Sequence, residues 1–368
     1  PKRHGLTRSH EMIDGVEIYR YPAIEAETIP GFLVEYSWAL ICQFFTALRV
    51  FMRTRFRVLH ACNPPDTLFA IGAFFKLFGV RFVFDHHDLA PELFEDKFGK
   101  RRLLHGLVSL AERLTFRTAD VSIATNESYR EIAIQRGRMK AGNVFVVRSC
   151  LDLEQVHRTA PRPELKEGKR HLVVYLGVME KQDGVDLLLD AIEVVVQRYH
   201  RDDTLFALIG AGSEVPRLKA LAAQKGIEPW VRFTGRISDE DLETYLSTAD
   251  VGAAPDPGTA LNDKCTMNKI LHYMAYGIPI VLFDLTEGRR SAEDAALYAR
   301  PNDIEEFSGQ LMKLLDSESL RHRLGAIGRK RIEDRLNWNV EKKALLRAYQ
   351  LAAAGRTNDL AQVAEGAD

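Results

Sequence analysis

In residues 170–212, RHLVVYLGVMEKQDGVDLLLDAIEVVVQRYHRDDTLFALIGAG, two apolar runs flank a helical pattern. His171 to Leu176 is apolar at nearly every position and stops at Gly177, which predicts a strand buried on both faces. Gly184 to Tyr199 carries apolar residues at helical spacing. Leu205 to Ile209 is a second buried strand, closed by Gly210-Ala211-Gly212. Strand, helix and strand in this order predict parallel strands joined by a helical crossover.

The same rhythm extends in both directions. Downstream, strands are predicted at Val231 to Thr234, Val251 to Ala254 and Ile278 to Phe283, with helices at Ser213 to Lys225, Asp239 to Ser247 and about Cys265 to Ala275. Upstream, strands are predicted at Val16 to Tyr21, Arg57 to Ala61, Val80 to Phe84, Val121 to Ala124 and Val144 to Val147. Helices are predicted at Phe32 to Arg53, Thr67 to Phe78 and Arg102 to Thr118. The polar, proline-containing stretch from Leu151 to Arg170 reads as a linker. The expected organisation is an N-terminal Rossmann-like domain over 1–160, a C-terminal one over 161–338, a helix over 339–353 and a disordered tail over 354–368. The first strand candidate falls at residue 16 with no glycine-rich turn before it, and the chain begins at Pro1, so a preceding segment of several tens of residues is expected.

The composition is that of a folded protein, with 46% hydrophobic and 27% charged residues in 368. That excludes a disordered chain or a collagen-like repeat. Fifty Lys+Arg against 51 Asp+Glu argue against binding nucleic acid by phosphate neutralisation. Cys42, Cys62, Cys150 and Cys265 form no CxxC pair, which suits a reducing compartment and is no metal framework. The Gly31 to Met52 stretch contains Glu35, Gln43 and Arg49, so a buried or interfacial helix is expected rather than a membrane span.

Three loops follow predicted parallel strands at one sheet edge, where open α/β sheets bind ligands. Gly177 to Gly184 leads into a helix whose amides favour an anion, and Lys181 adds a full charge. Gly210-Ala211-Gly212 ends the next strand. The third loop, Ala254 to Thr266, leads into Met267 to Ala275, with Thr266 as expected N-cap. Lys264, Asn268 and His272 are spaced by four, hence expected on one helix face or its extension.

Gly177 to Ala191, Leu208 to Gly212, Val231 to Gly235 and Asn268 to Val281 resemble glycosyltransferase family 4. Phe84-Asp85-His86-His87-Asp88-Leu89-Ala90-Pro91-Glu92-Leu93 and Ala124-Thr125-Asn126-Glu127-Ser128 are similar to its bacterial surface-polysaccharide branch. The resemblance runs from Asp14 to about Leu351. It implies an α/β GT-B fold, two Rossmann-like domains with parallel sheets facing a cleft and a C-terminal helix crossing back to the first. It implies retaining transfer from a nucleotide-sugar donor to a saccharide or polyprenyl-diphosphate-linked acceptor, with no cofactor and no metal.

The roles follow residue by residue. Gly177, Gly210, Gly212, Gly235 and Arg236 would surround the nucleotide. Thr266 and Asn268 would open a helix toward the diphosphate, and Lys181 would be its cation. The family's two glutamates, spaced by seven residues, fall on Lys264 and His272. His272 can still bond a ribose hydroxyl; Lys264 cannot accept a hydrogen bond, and Asp263 could supply the lost acceptor. The family's Arg and Lys after the Gly177 strand fall on Val178 and Asp183. His87 and Asp88 would lie beside the transferred sugar, His86 and Glu92 on the acceptor side, and Glu287 near the donor. A metal on the two histidines and two aspartates of Asp85-His86-His87-Asp88 is set aside because adjacent histidines project apart, no further ligand cluster is near in sequence, and the GT-B fold that the resemblance implies generally needs no metal.

Lys97 to Arg117 carries six Lys or Arg against Glu112 alone, interleaved with leucines. Such a helix can lie on an anionic membrane or be an ordinary amphipathic core helix. The expected location is cytoplasmic, peripheral at the membrane's cytoplasmic face. Two other readings stay open. A UDP-sugar 2-epimerase would isomerise its nucleotide sugar without an acceptor. A degenerate nucleotide-binding or interaction module would turn nothing over.

Overall fold

Short apolar runs bounded by glycine or aspartate become parallel strands in both halves of the chain. The computed structural model describes residues 9–22, 24, 29–99 and 101–354. They fall into two units, one from Pro1–Ala124, Tyr129–Phe145 and Leu345–Asp368, the other from Thr125–Ser128 and Val146–Ala344. The tail expected to be disordered lies outside the described residues from 355 onward.

The first unit opens on a hairpin, β1 (His10–Ile13) and β2 (Val16–Tyr19), turned through Asp14 and Gly15 with φ of 49° and 80°. The strand expected at Val16 therefore pairs antiparallel, outside the parallel sheet. Then follow α1 (Ile29–Thr54), β3 (Val58–Cys62), α2 (Phe69–Lys76), β4 (Arg81–His86), α3 (Ala90–Phe98), α4 (Arg102–Thr118), β5 (Val121–Ala124), α5 (Glu127–Gln135) and β6 (Val144–Val146). The sheet order is β3-β4-β5-β6. Phe51, Ile71, Phe75 and Val80 pack α1 and α2 into one core cluster. The sequence pattern missed α3 and α5. Each follows a short polar stretch, His86-His87-Asp88 before α3 and Thr125-Asn126 before α5, so its first turn reads as loop.

The second unit contains β7 (His171–Leu176), α6 (Val185–Glu193), β8 (Thr204–Ile209), α7 (Val215–Gln224), β9 (Val231–Gly235), α8 (Asp239–Thr248), β10 (Val251–Ala254), α9 (Asn268–Tyr276), β11 (Ile280–Phe283), α10 (Thr286–Ala292), β12 (Ala296–Ala299), α11 (Ile304–Asp316) and α12 (Glu318–Asp334). Its parallel sheet runs β12-β11-β10-β7-β8-β9. Two apolar clusters cover its two faces, one built on Val173, Phe206 and Val281, the other on Val174, Ala207 and Ile280. Alternate residues of each strand feed opposite clusters, the pleat's period of two. The stretch read as a linker is pinned to α8, Thr159 N donating to Ser247 Oγ and Arg162 N to Thr248 Oγ1. In α13 (Trp338–Ala354) the residues up to Ala344 group with the second unit and those from Leu345 with the first.

Thr-Ala-Asp-Val occurs at 118–121 and at 248–251, each time between a helix and a strand. In both places Thr Oγ1 bonds back four residues, to Leu114 O and Thr244 O, and the next residue's amide closes the last turn. The aspartate then takes both backbone groups of one residue on the neighbouring strand. Asp120 N donates to Phe82 O and its carboxylate accepts from Phe82 N, both at 2.8 Å. Asp250 does the same with Leu172, at 2.9 and 2.8 Å. Lys76 and Lys166 add ion pairs at 3.0 and 2.7 Å. One corner thus sets strand register in each unit.

Asp120→Ala and Asp250→Ala each leave a strand amide without its acceptor, so each should lower stability by about 1–3 kcal/mol. Urea unfolding checks this, and wild-type midpoints for both variants would reject the role.

Candidate functional site

Parallel strands bring all their carboxyl ends to one edge, so the second unit gathers there the loops after β7 to β11. The loops after β7 and β8 are stitched by their backbones, Gly177 N to Ile209 O at 3.0 Å and Met179 N to Ala211 O at 3.1 Å. Gly210 N reaches Gly235 O at 3.1 Å. A Cβ on Gly210 would lie 1.8 Å from Gly177 O, and one on Gly212 2.2 Å from Met179 O. These glycines, expected around the nucleotide, are required by the approach of one loop to the next. Glu180 and Asp183 form a capping box on the turn between them, and Glu180 Oε1 accepts from Ser213 N at 2.8 Å. Asp183, at a position where the family carries a cation, is therefore part of the loop's own frame. Lys181 and Arg236 are exposed at this edge.

The loop before α9 departs from expectation. The helix begins at Asn268, its cap residue is Met267, and no side chain caps it. Thr266 Oγ1 instead accepts from the buried Asn126 Nδ2 at 3.1 Å, and Lys264 O accepts from the same amide at 2.8 Å. The missing cap leaves first-turn amides of α9 open to an anion. Lys264 ends a separate turn, Asn262–Lys264, followed by extended backbone at Cys265, so it is out of helical register with His272. His272 Nδ1 lies 3.0 Å from Asn268 O. A carbonyl only accepts, so Nδ1 donates and a neutral ring keeps Nε2 as an acceptor.

Both carboxylates expected near the donor are spent on the fold. Asp263 accepts from Thr286 N at 2.8 Å and Thr286 Oγ1 at 3.0 Å, holding the start of α10. Glu287 is buried and its Oε1 accepts from Ser128 N, Ser128 Oγ and Arg290 Nη1 at 3.0, 2.6 and 2.7 Å. Beneath the edge lies a pair that sequence reading missed. Lys269 Nζ bonds Asp256 Oδ1 at 2.6 Å with both side chains buried, 5.0 Å from the Tyr175 ring centre. No local pattern marks Lys269, because its partner lies thirteen residues earlier.

The first unit presents a second polar edge after β3 and β4. His86 is fully buried among Phe84, Phe116 and Tyr129, and burial drives its pKa down to about 3. It is a neutral core histidine, out of reach of an acceptor. Glu92 binds Arg136 through both oxygens at 2.8 and 3.2 Å, and Arg136 also holds the buried Glu112 at 2.6 Å. Glu92 is thus a structural anchor. His87 is exposed, and its Nε2 lies 3.1 Å from Asp85 Oδ2. Hydrogen bonds to Asp85 and Cys62 raise its pKa to about 10. His60 reaches the same Asp85 oxygen at 3.1 Å; burial opposes its charge, but Asp85 and Cys62 prevail and raise its pKa to about 9. Burial opposes the Asp85 charge as well, yet the two histidines hold its carboxyl well below the usual range.

Asn63 clamps the turn carrying His87 and Asp88. Its Oδ1 accepts from His87 N at 2.7 Å and Asp88 N at 3.1 Å, while Nδ2 donates to Asp88 O at 2.7 Å and Asp66 Oδ1 at 3.1 Å. Asp88 is half-buried and its pKa is raised by burial. Asp66 lines a cavity of about 260 Å³ in the first unit, otherwise walled by Tyr36, Pro65, Leu93, Phe94 and Leu107 among others. Burial, reinforced by Glu112 and Asp88 against Asn63 and Arg136, raises the Asp66 pKa to about 7.

Residues 2–150 match the family model described as "Glycosyl transferase 4-like domain", and residues 170–317 the model described as "Glycosyl transferases group 1". The phosphatidyl-myo-inositol mannosyltransferase of Mycobacterium tuberculosis is 28% identical over 195 residues, 51% of this chain and 48% of that protein. The O-antigen chain mannosyltransferase B of Escherichia coli is 27% identical over 180 residues, 48% of this chain and 45% of that protein. The chain spans about half the length of these curated relatives. Among solved structures, sucrose-phosphate synthase from Thermosynechococcus elongatus has a TM-score of 0.70 at 17% identity, covering 94% of this chain and 86% of that one. Anabaena Alr3699/HepE in complex with UDP-glucose has a TM-score of 0.67 at 16% identity, covering 83% of this chain and 82% of that one.

Removing one partner of a buried ion pair strands the other, at a cost of about 3–5 kcal/mol. Lys269→Met should therefore unfold at clearly lower urea, and Lys269→Met with Asp256→Leu should recover most of the loss; a double variant no better than the single one would refute the pairing. Asp66 is neutral in the fold where the unfolded carboxyl is ionised. Its stabilising contribution is full below about pH 4 and disappears as pH rises through about 7. Asp66→Asn should gain stability relative to wild type by about 2–3 kcal/mol between pH 5 and pH 8. A pH-independent difference in melting would contradict the assignment.

Proposed function

Because this chain belongs to glycosyltransferase family 4, with its GT-B fold, we propose that it is a retaining glycosyltransferase. It moves a sugar from a nucleotide diphosphate to a saccharide or polyprenyl-diphosphate-linked acceptor in cell-surface polysaccharide synthesis. The observation that carries this reading is the open edge of the second unit, where uncapped α9 amides, exposed Lys181 and the His272 Nε2 acceptor share the strand ends. The amides and Lys181 take the diphosphate, His272 takes a ribose hydroxyl, and Gly235 and Arg236 flank the base. Positive charge and helix amides stabilise the leaving diphosphate, so no metal is assigned to it. The acceptor attacks on the face from which the diphosphate departs, guided by that leaving group, and no enzyme nucleophile is named. In the first unit, His87 and Asp88 are assigned to sugar binding.

The lipid-linked form of the acceptor is supported by the first unit's surface. Its apolar cavity opens between α3 and α4. Leu103, Leu107 and Leu110 are exposed on α4 beside Arg101, Arg102 and Arg113. The lone acidic residue of that helix, Glu112, is buried against Arg136 and does not offset these charges. Among the described residues no helix is long and apolar enough to cross a membrane. Peripheral contact with an anionic bilayer at its cytoplasmic face fits this pattern. A second reading, nucleotide binding without turnover, draws on the engagement of Asp263 and Glu287 elsewhere, which leaves neither to replace the missing glutamates.

Melting in a panel of nucleoside diphosphates and nucleotide sugars, UDP-glucose and GDP-mannose included, tests donor binding. A selective ligand at a hundredfold its Kd should stabilise by about 2.7 kcal/mol, and His272→Ala should lose the shift. No shift with any nucleotide would reject the reading. Release of nucleoside diphosphate from the sugar nucleotide that depends on a lipid-linked acceptor separates transfer from mere binding.

A further inference from the structure

In the first unit, three metal-ligating side chains of different chemistry converge at the carboxyl ends of β3 and β4. Register places them on one face. Cys62 pairs with Asp85 across the two parallel strands, and His60 precedes Cys62 by two residues. Cys62 Sγ lies 3.6 Å from His60 Nε2 and 3.6 Å from Asp85 Oδ2, and those two atoms are 3.1 Å apart. Ligands around a tetrahedral zinc ion, at metal distances of 2.0–2.3 Å, stand ~3.3 Å apart for nitrogen and oxygen and ~3.5 Å apart where sulfur takes part. The three atoms therefore outline one face of such a tetrahedron.

A second observation concerns the other side of the imidazole. His60 Nδ1 lies 2.7 Å from Tyr349 Oη, and the two rings stack with centres 5.7 Å apart. A ligating histidine usually gives its remaining N–H to an oxygen that fixes ring and tautomer, and Tyr349 stands in that place. We propose that His60, Cys62 and Asp85 bind one zinc-class divalent ion, oriented through Tyr349, with a fourth position open to water. Thiolate, imidazole and carboxylate together suit zinc and disfavour magnesium or calcium, which take oxygen ligands. The proposal does not rest on the transferase reading.

The full chain, stripped of metal by a chelator, is titrated with Co²⁺ and then Zn²⁺. One cobalt per chain is expected, with tetrahedral visible bands and a thiolate-to-cobalt charge-transfer band, all bleached by one equivalent of zinc. Cys62→Ser should lose the charge-transfer band, Cys150→Ser should keep it, and Tyr349→Phe should weaken affinity about tenfold. Absence of stoichiometric uptake by the wild type overturns the proposal, as does a charge-transfer band that survives Cys62→Ser. Should Cys62→Ser fail to fold by circular dichroism, His60→Gln decides: unchanged cobalt affinity overturns the site, and a large loss supports it.

Discussion

Two carboxylates, Asp120 and Asp250, hold the strand register on which every other feature rests. Each bridges the start of one strand to both backbone groups of a residue on the next, Phe82 or Leu172. In a parallel sheet a slip of one residue would turn every side chain to the opposite face. It would misplace the side chains of β5 against β4 in the first unit and of β10 against β7 in the second. The same tetrapeptide does the same work in both halves, so the two units are variations on one building rule.

What the strand ends then carry is decided by how their polar groups are satisfied. Buried donors and acceptors must find partners. Most of the conspicuous polar residues at these edges are consumed in that way. Asp263 fastens α10, Glu287 fastens Ser128, Glu92 fastens Arg136, and Asn63 fastens the turn after β4. Among the described residues, the groups proposed for ligands are the uncapped amides at α9, the far nitrogen of His272, exposed Lys181, and the cluster at His60, Cys62 and Asp85.

The parallel α/β architecture was legible because buried parallel strands are apolar without interruption; Val121–Ala124 and Val251–Ala254 come out with the expected bounds. Local spacing does not dictate helical geometry at Lys264, which sits in its own turn, or at Thr266, whose hydroxyl serves Asn126. The paired histidines show the same limit. His86 and His87 are neighbours in sequence, yet the pleat buries one and exposes the other.

By itself the sequence determined the two-part α/β plan and the family, since both depend on periodicity and on short motifs within single loops. Tertiary structure alone decided which charges are free. Lys269 meets Asp256, Asp263 meets Thr286, and His60 and Cys62 meet Asp85 only once separate strands and loops are brought together. The physical reason is that a carboxylate or imidazole acquires its role from its partners and its burial, and neither is a property of its neighbours along the chain.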